Sequence, residues 1–223
     1  MFRQYPRVDV DPDLIARLKR VSPSTLGHLT DFGFVRGLKP SFRPIKLVGP
    51  AVTVRIPHLD STAVHCVLDV VQPGDVVVVD QSGDAARACW GGGVTYAAVR
   101  RGVAGAVVAG AMTDWGEILE LKFPMYFRTI SALTTRILGI EGEINVPVTI
   151  GGVVVRPGDV VFGDENGVAI LSSEQAASYA PVLEKMEHDE VGTKQRLDAG
   201  ESLATLSGAR QKFDAAAGRR GRR

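Results

Sequence analysis

Two kinds of segment alternate along this chain, and that alternation restricts the fold more than any other feature. Short, continuously apolar runs stand at PGDVVVVD (73–80) and VAGAVVAGA (103–111). Helix-patterned stretches at 60–71, 88–102 and 115–121 separate and follow them. A brief Val-rich run between turn signals is the pattern of a strand buried on both faces. Strand and helix in this rhythm predict βα crossover units, with helices covering a partly parallel sheet.

The flanks have other patterns. Residues 11–35 are expected to be helical: Asp11 offers an N-cap, Pro12 a first-turn proline, and Leu14, Ile15 and Leu18 an apolar stripe, with an interruption at Pro23. LVGPAVTVRIP (47–57) is expected as a strand broken at Gly49-Pro50. DSTAVHCVLDVV (60–71) is expected as a helix capped by Asp60, and MYFRTIS (125–131) as a further strand. Residues 145–171 carry only strand and turn signals, with hairpins at Gly151-Gly152 and at Glu165-Asn166-Gly167. QPGDVVVVD (72–80) and RPGDVVFGD (156–164) echo one another as a turn that launches a strand. A long helix is expected over 172–206, interrupted near Gly192, and then a tail (207–223) whose GRRGRR end (218–223) is expected to be disordered. Residues 1–206 are expected to form one domain, with 1–36 as its helical N-terminal segment.

Composition excludes some classes of function. A net charge of +1 gives no global attraction to nucleic acid or an acidic membrane. No run approaches the roughly 18 apolar residues of a membrane span, and residues 1–20 contain no signal-type apolar core. The cytoplasm is the default compartment. Cys66 and Cys89 lack metal-type spacing and are expected as reduced thiols at buried or half-buried helix positions.

Two turns could carry chemistry. Gly91, Gly92 and Gly93 precede the helical segment VTYAAVRRG, where free N–H groups and the helix dipole favour an anion. A flexible turn explains the same residues. The turn GAMTDWGEI (110–118) follows the second buried strand, at the end where ligands gather in open α/β sheets. Its Asp114 suits either a helix cap, with Glu117 as capping-box partner, or a hard-cation ligand, because Mg²⁺ needs only one or two protein carboxylates. Trp90 and Trp115 flank the two turns as pocket wall or core. His65 is expected in the core or an interface, while His28 and His58 are weaker candidates to face the site. No GxGxxG, HExxH or GxSxG pattern is present.

LVGPAVTV, QPGDVVVVD, the glycine turn, RGVAGAVVAGAMTDWGEI, FPMYFR and VRPGDVVFGDENGVAIL occur in an order that resembles the RraA-like family over about residues 20–206. That family contains class II 4-hydroxy-4-methyl-2-oxoglutarate and 4-carboxy-4-hydroxy-2-oxoadipate aldolases, and regulators of ribonuclease activity. The resemblance implies an α/β fold, a swivelling β/β/α sandwich with N-terminal helices and a long C-terminal helix. It also implies a homotrimer or homohexamer with sites at subunit interfaces.

By position, Asp114 matches the aspartate that anchors Mg²⁺ or Mn²⁺, and Glu117 the acid that trails it. Gly92, Gly93 and Val94, with Gly91 before them, match the turn whose amides hold the substrate carboxylate. Arg128 matches a residue common in the family. Glu190, or alternatively Glu187, matches a glutamate lent by a neighbouring subunit. Thr113 stands where the family has an Arg that contacts the pyruvyl group, and Gly92 where it has an acid. Arg128, Arg100 and Arg87 are candidates to replace the missing cation. The implied activity is metal-dependent cleavage or decarboxylation of a small 2-oxo acid. The alternatives are a non-catalytic binding or regulatory protein, or an enzyme of the same scaffold acting on another acid.

Overall fold

The computed structural model describes residues 1–220, with side chains through residue 217. In chain order it runs β1 (Phe2–Gln4), α1 (Pro12–Leu18), α2 (Pro23–Leu26), β2 (Lys39–Pro40), β3 (Lys46–Arg55), α3 (Thr62–Cys66), β4 (Val76–Asp80), β5 (Ala88–Trp90), α4 (Gly92–Arg100), β6 (Gly105–Met112), α5 (Trp115–Glu120) and β7 (Met125–Ile130). There follow β8 (Gly142–Ile144), β9 (Val148–Ile150), β10 (Val153–Val155), β11 (Val160–Asp164), β12 (Gly167–Leu171), α6 (Ser173–Asp198), α7 (Leu203–Leu206) and α8 (Ala209–Arg220).

The main sheet has the order β1-β8-β3-β4-β6-β7-β2, and the β3–β4, β4–β6 and β6–β7 pairs are parallel. Alternation along β4 divides the core. Val77 and Val79 pack with α3, α4 and α5 through Val64, Ala98 and Ile118. Val76 and Val78 pack instead with residues of β9 to β12, among them Ile150, Val161 and Ile170. Helices thus cover one face and a second β layer covers the other, which is the β/β/α layering. A third cluster seals β11 and β12 under α1, α2 and the first half of α6, through Leu18, Leu26, Phe162, Ala180 and Leu183. Each fully buried aliphatic chain in these clusters contributes roughly 1.5–3 kcal/mol.

Several expectations need correction. β3 is not broken at Gly49-Pro50; it changes partners there. Lys46–Pro50 pairs antiparallel with β11, and Ala51–Arg55 pairs parallel with β4. The helix expected over 88–102 begins only at Gly92, because Ala88–Trp90 adds a short strand against the end of β6. Cys89 is therefore a buried strand residue, and burial pushes its thiol up to about 12; Cys66 is exposed on α3. Helix 60–71 shortens to α3 and a 3₁₀ turn at Val67–Asp69. The N-terminal helical region reduces to α1 and α2, although Asp11 does cap α1 by accepting from the Asp13 N–H. α6 runs unbroken through both Pro181 and Gly192, and the chain leaves it at Ala199. Its start is a capping box of Ser172 with Gln175. Residues 209–220, expected as tail, form α8; of the GRRGRR end, residues 221–223 lie outside the described residues.

Candidate active site

Asp114 directly follows β6 and takes a left-handed backbone conformation, with φ at 55°. It stands at the N-cap position of α5, but its side chain makes no cap bond to that helix. Its Oδ2 instead accepts a 2.8 Å hydrogen bond from the Gly92 N–H, at the start of α4. Its Oδ1 receives only the Thr113 hydroxyl, at 3.3 Å. The helix-cap reading of Asp114 is thereby overturned, and so is that of Glu117 as its capping-box partner. The carboxylate is turned out of its own helix and into the space between the two turns.

The turns are locked together by backbone as well. The Thr113 N–H donates to the Trp90 carbonyl at 2.9 Å, and the Ser131 N–H to the Met112 carbonyl at 2.9 Å. Trp90 is buried, stacks on Phe123 at 5.9 Å, and donates from Nε1 to the Thr95 hydroxyl, which itself donates to the Gly91 carbonyl. Trp90 is therefore core that fixes the glycine turn. Trp115 is about half exposed and is held by a bond from its Nε1 to the Ser41 carbonyl.

The three glycines are not equivalent. A Cβ on Gly91 would stand 2.6 Å from Asp114 Oδ2, and one on Gly92 would stand 1.9 Å from Glu117 Oε2. Nothing lies within 4 Å of the same position on Gly93. Gly91 and Gly92 leave room for two carboxylates against the turn. The Gly92 amide, expected to hold a substrate carboxylate, is occupied by Asp114, while Gly93 and Val94 present the remaining first-turn amides of α4. The Val94 side chain points into the core.

The arginine candidates separate clearly. Arg87 is bound to Asp84, whose carboxyl lies below its ordinary range because backbone N–H groups and this guanidinium outweigh burial. Arg100 ends α4, eight residues and about 12 Å of helix rise from the turn. Arg128 is exposed on β7, where Ala111 pairs with Thr129 and Met112 with Ile130, so it stands on the strand beside the one that delivers Asp114. Glu187 accepts from the Ser22 N–H and the Thr25 hydroxyl of its own chain. Glu190 is exposed and pairs with Lys194. His28 and His65 are exposed, which takes His65 out of the core and leaves its interface alternative, and His58 lies 3.9 Å from Asp84.

One contributor escaped the sequence reading. Gln81, fully buried, donates to the His58 and Arg87 carbonyls, and its Oε1 stands 2.0 Å from where a Cβ on Gly110 would be. It clamps the loop leading to β5 against the end of β6. The signal was Gly110, a glycine within a strand, which marks close approach of another group.

Asp114 and Glu117 offer hard oxygen donors, and one or two carboxylates with water suffice for Mg²⁺ or Mn²⁺. Among the described residues no cluster of three or more His, Cys, Asp or Glu side chains forms. The donor set fits a hard, water-rich ion and not a structural zinc.

Comparison with known proteins identifies the family and the fold. The sequence profile of a family described as RraA-like, Aldolase/RraA, matches residues 22–170. A Halalkalibacterium halodurans protein provisionally named a 4-hydroxy-4-methyl-2-oxoglutarate aldolase is 37% identical over 180 residues, covering 80% of this chain and 85% of its own. The crystal structure of Streptomyces coelicolor RraAS2, titled an unusual member of the RNase ES inhibitor RraA family, superposes with a TM-score of 0.76 at 29% identity, covering 84% of this chain and all of the other. An uncharacterized Pseudomonas syringae protein shares the fold at a TM-score of 0.78 and 21% identity, covering 92% of this chain and 97% of its own.

Proposed function

Since this chain belongs to the RraA-like aldolase family, we propose that it is a lyase that cleaves or decarboxylates a small 2-oxo acid at the junction of the glycine turn and Asp114. The carrying observation is the Asp114 carboxylate, turned away from the helix it should cap and set beside Glu117 over the glycine turn.

In this reading Asp114, with Glu117 beside it, would hold Mg²⁺ or Mn²⁺. When bound, such an ion supplies Lewis acidity toward a 2-oxo acid. The chain's own residues do the rest. The amides of Gly93 and Val94, at the positive end of α4, orient the substrate carboxylate. The Thr113 hydroxyl stands where the family has an arginine and can turn its one proton from Asp114 Oδ1 to the substrate, and Arg128 supplies the positive charge that Thr113 lacks. Loss of a charged stabiliser of this kind commonly costs on the order of 10²–10³ in rate, so Arg128 decides how much activity survives. The exposed apolar side chains Tyr96, Trp115 and Leu119 on α4 and α5 would be covered by a neighbouring subunit in a trimer or hexamer.

The test is pyruvate release from a panel of 4-hydroxy-2-oxo acids and from oxaloacetate, with Mg²⁺, Mn²⁺ or chelator. Wild type should release pyruvate only with metal, and Asp114→Ala should lose at least 100-fold. Absence of metal-dependent release on every substrate would defeat the lyase reading. A second reading, a non-catalytic binding protein, is favoured by Thr113 and Gly92 standing where the family carries charge, and by the likeness to RraAS2. The double substitution Thr113→Arg with Gly92→Asp separates the two: activity that appears only in the double variant marks a scaffold that has set its chemistry aside.

A further inference from the structure

The echo of the two Pro-Gly-Asp turns is exact in its hydrogen bonding but not in its charge. In the first turn the Asp75 N–H donates to the Gln72 carbonyl at 3.1 Å, and the Gln72 N–H donates back to Asp75 Oδ2 at 2.8 Å. In the second the Asp159 N–H donates to the Arg156 carbonyl at 3.0 Å, and the Arg156 N–H to Asp159 Oδ2 at 2.7 Å. Gly74 and Gly158 take φ of 90° and 81°. Both turns meet β3, through Gly74 against Gly49 and through the Gly158 N–H to the Ala51 carbonyl.

The carboxylates then differ. Asp75 is fully buried and forked by Arg7, whose Nε and Nη2 donate at 2.8 and 2.7 Å. Asp159 is 7% exposed, and among the described residues no cationic nitrogen comes within salt-bridge distance of it. It faces a cavity of about 210 Å³ lined also by Phe32, Val154, Arg156, Leu171, Gln175 and Tyr179. Glu174 adds negative charge nearby, and the exposed Arg156 adds positive charge without pairing. A buried carboxylate that no cation bonds directly is costly, and the same turn elsewhere in this chain answers it with a paired guanidinium. The volume lies below the roughly 300 Å³ of an ordinary small-molecule site and suits a single side-chain-sized group.

We propose that this cavity binds a guanidinium group on an aliphatic stem, with Asp159 as counter-ion and Phe32, Val154 and Tyr179 against the stem. A guanidinium satisfies a carboxylate through two parallel bonds, as Arg7 does on Asp75, and it stacks on aromatic faces. Two sources carry this chemistry: a free arginine-like molecule, and an arginine side chain such as those of the chain's own GRRGRR end. The site is separate from the Asp114 turn and does not depend on the proposed lyase activity.

The probe is N-acetyl-L-arginine amide, with N-acetyl-norleucine amide as control, titrated into the full chain by calorimetry. Saturable binding of the arginine probe alone is expected. Asp159→Asn should weaken it at least tenfold, while Asp114→Ala should bind as wild type does. Asn keeps the acceptor for the Arg156 N–H, so the turn stays closed, and a circular-dichroism melt checks that the variant folds. Replacing the arginines at 219, 220, 222 and 223 by alanine distinguishes the sources: tighter probe binding means the chain's own end fills the cavity, and unchanged affinity means an external ligand does. The proposal is overturned if neither wild type nor the tail variant binds the probe saturably, or if Asp159→Asn binds it equally well.

Discussion

At the residue scale the contrasts within the glycine turn are sharp enough to test. Gly93 has open space around its missing side chain and sits in the first turn of α4, so Gly93→Ala should be neutral or stabilise by up to about 1 kcal/mol. Gly92→Ala must displace the Glu117 carboxylate, whose flexible arm can yield. Its melting temperature should change little, while metal-dependent pyruvate release should fall; unchanged activity would remove Glu117 from the site. Gly92→Asp faces the same neighbour, so the double variant proposed above must also push Glu117 outward.

Asp60 and Asp159, both buried, behave in opposite ways. Burial pushes the Asp60 carboxyl upward, but bonds from the Thr62 hydroxyl and from the Thr62, Leu138 and Ile140 N–H groups outweigh it and hold the carboxyl far below its usual range. A depressed value means stability that is present above the unfolded pKa, near 4, and lost as pH falls through the folded one. Asp60→Ala orphans the N–H groups that fix the 131–141 loop and should cost roughly 2–4 kcal/mol in a denaturant titration at pH 7. Burial raises Asp159, and the Arg156 N–H and charge only partly offset it. A raised value means stability that is greatest below the unfolded pKa and lost as pH rises through the folded one. Without a cation in its cavity, Asp159→Asn should therefore melt no lower than wild type at pH 7.

At the scale of elements, two close approaches carry the sheet. A Cβ on Gly49 would stand 2.1 Å from the Gly74 carbonyl oxygen, and one on Gly105 would stand 2.3 Å from that of Pro124. Both obstacles are backbone and cannot rotate away, so Gly49→Ala should cost about 1–3 kcal/mol, read as a lower denaturation midpoint. Gly192 is the reverse case. It lies mid-helix in α6 with nothing within 4 Å, so Gly192→Ala should raise helix stability by about 1 kcal/mol, seen as slower amide exchange near residues 186–198.

At the scale of the whole molecule, the apolar surface is unevenly placed. Tyr96, Val99, Trp115 and Leu119 on the site helices, with Leu133, Ile137, Leu138 and Ile140 in the adjoining loop, are all exposed. Apolar side chains left exposed in such number suit an interaction surface. Light scattering should give a mass of three or six times 23.8 kDa, and a monomer at micromolar concentration would contradict the oligomer. No helix among the described residues is long and apolar enough to cross a membrane.

What the sequence determined by itself was whatever depends on neighbours along the chain. The Val-rich runs gave β4 and β6, the paired glycines gave the β9–β10 hairpin, Asp11 gave the cap of α1, and the ordered motifs gave the family and its layering. Where propensity and packing disagreed, tertiary structure decided. α6 passes through Pro181 while its first half is sealed on β11 and β12. β3 passes through Gly49-Pro50 because its partners change there. Asp114 illustrates the division most clearly. Its local sequence favours a helix cap, since an Asp before a helix start ordinarily bonds the N–H groups that follow. Its left-handed backbone turns the carboxylate to an amide twenty-two positions earlier in the chain, a contact that exists only once β5 has docked on β6.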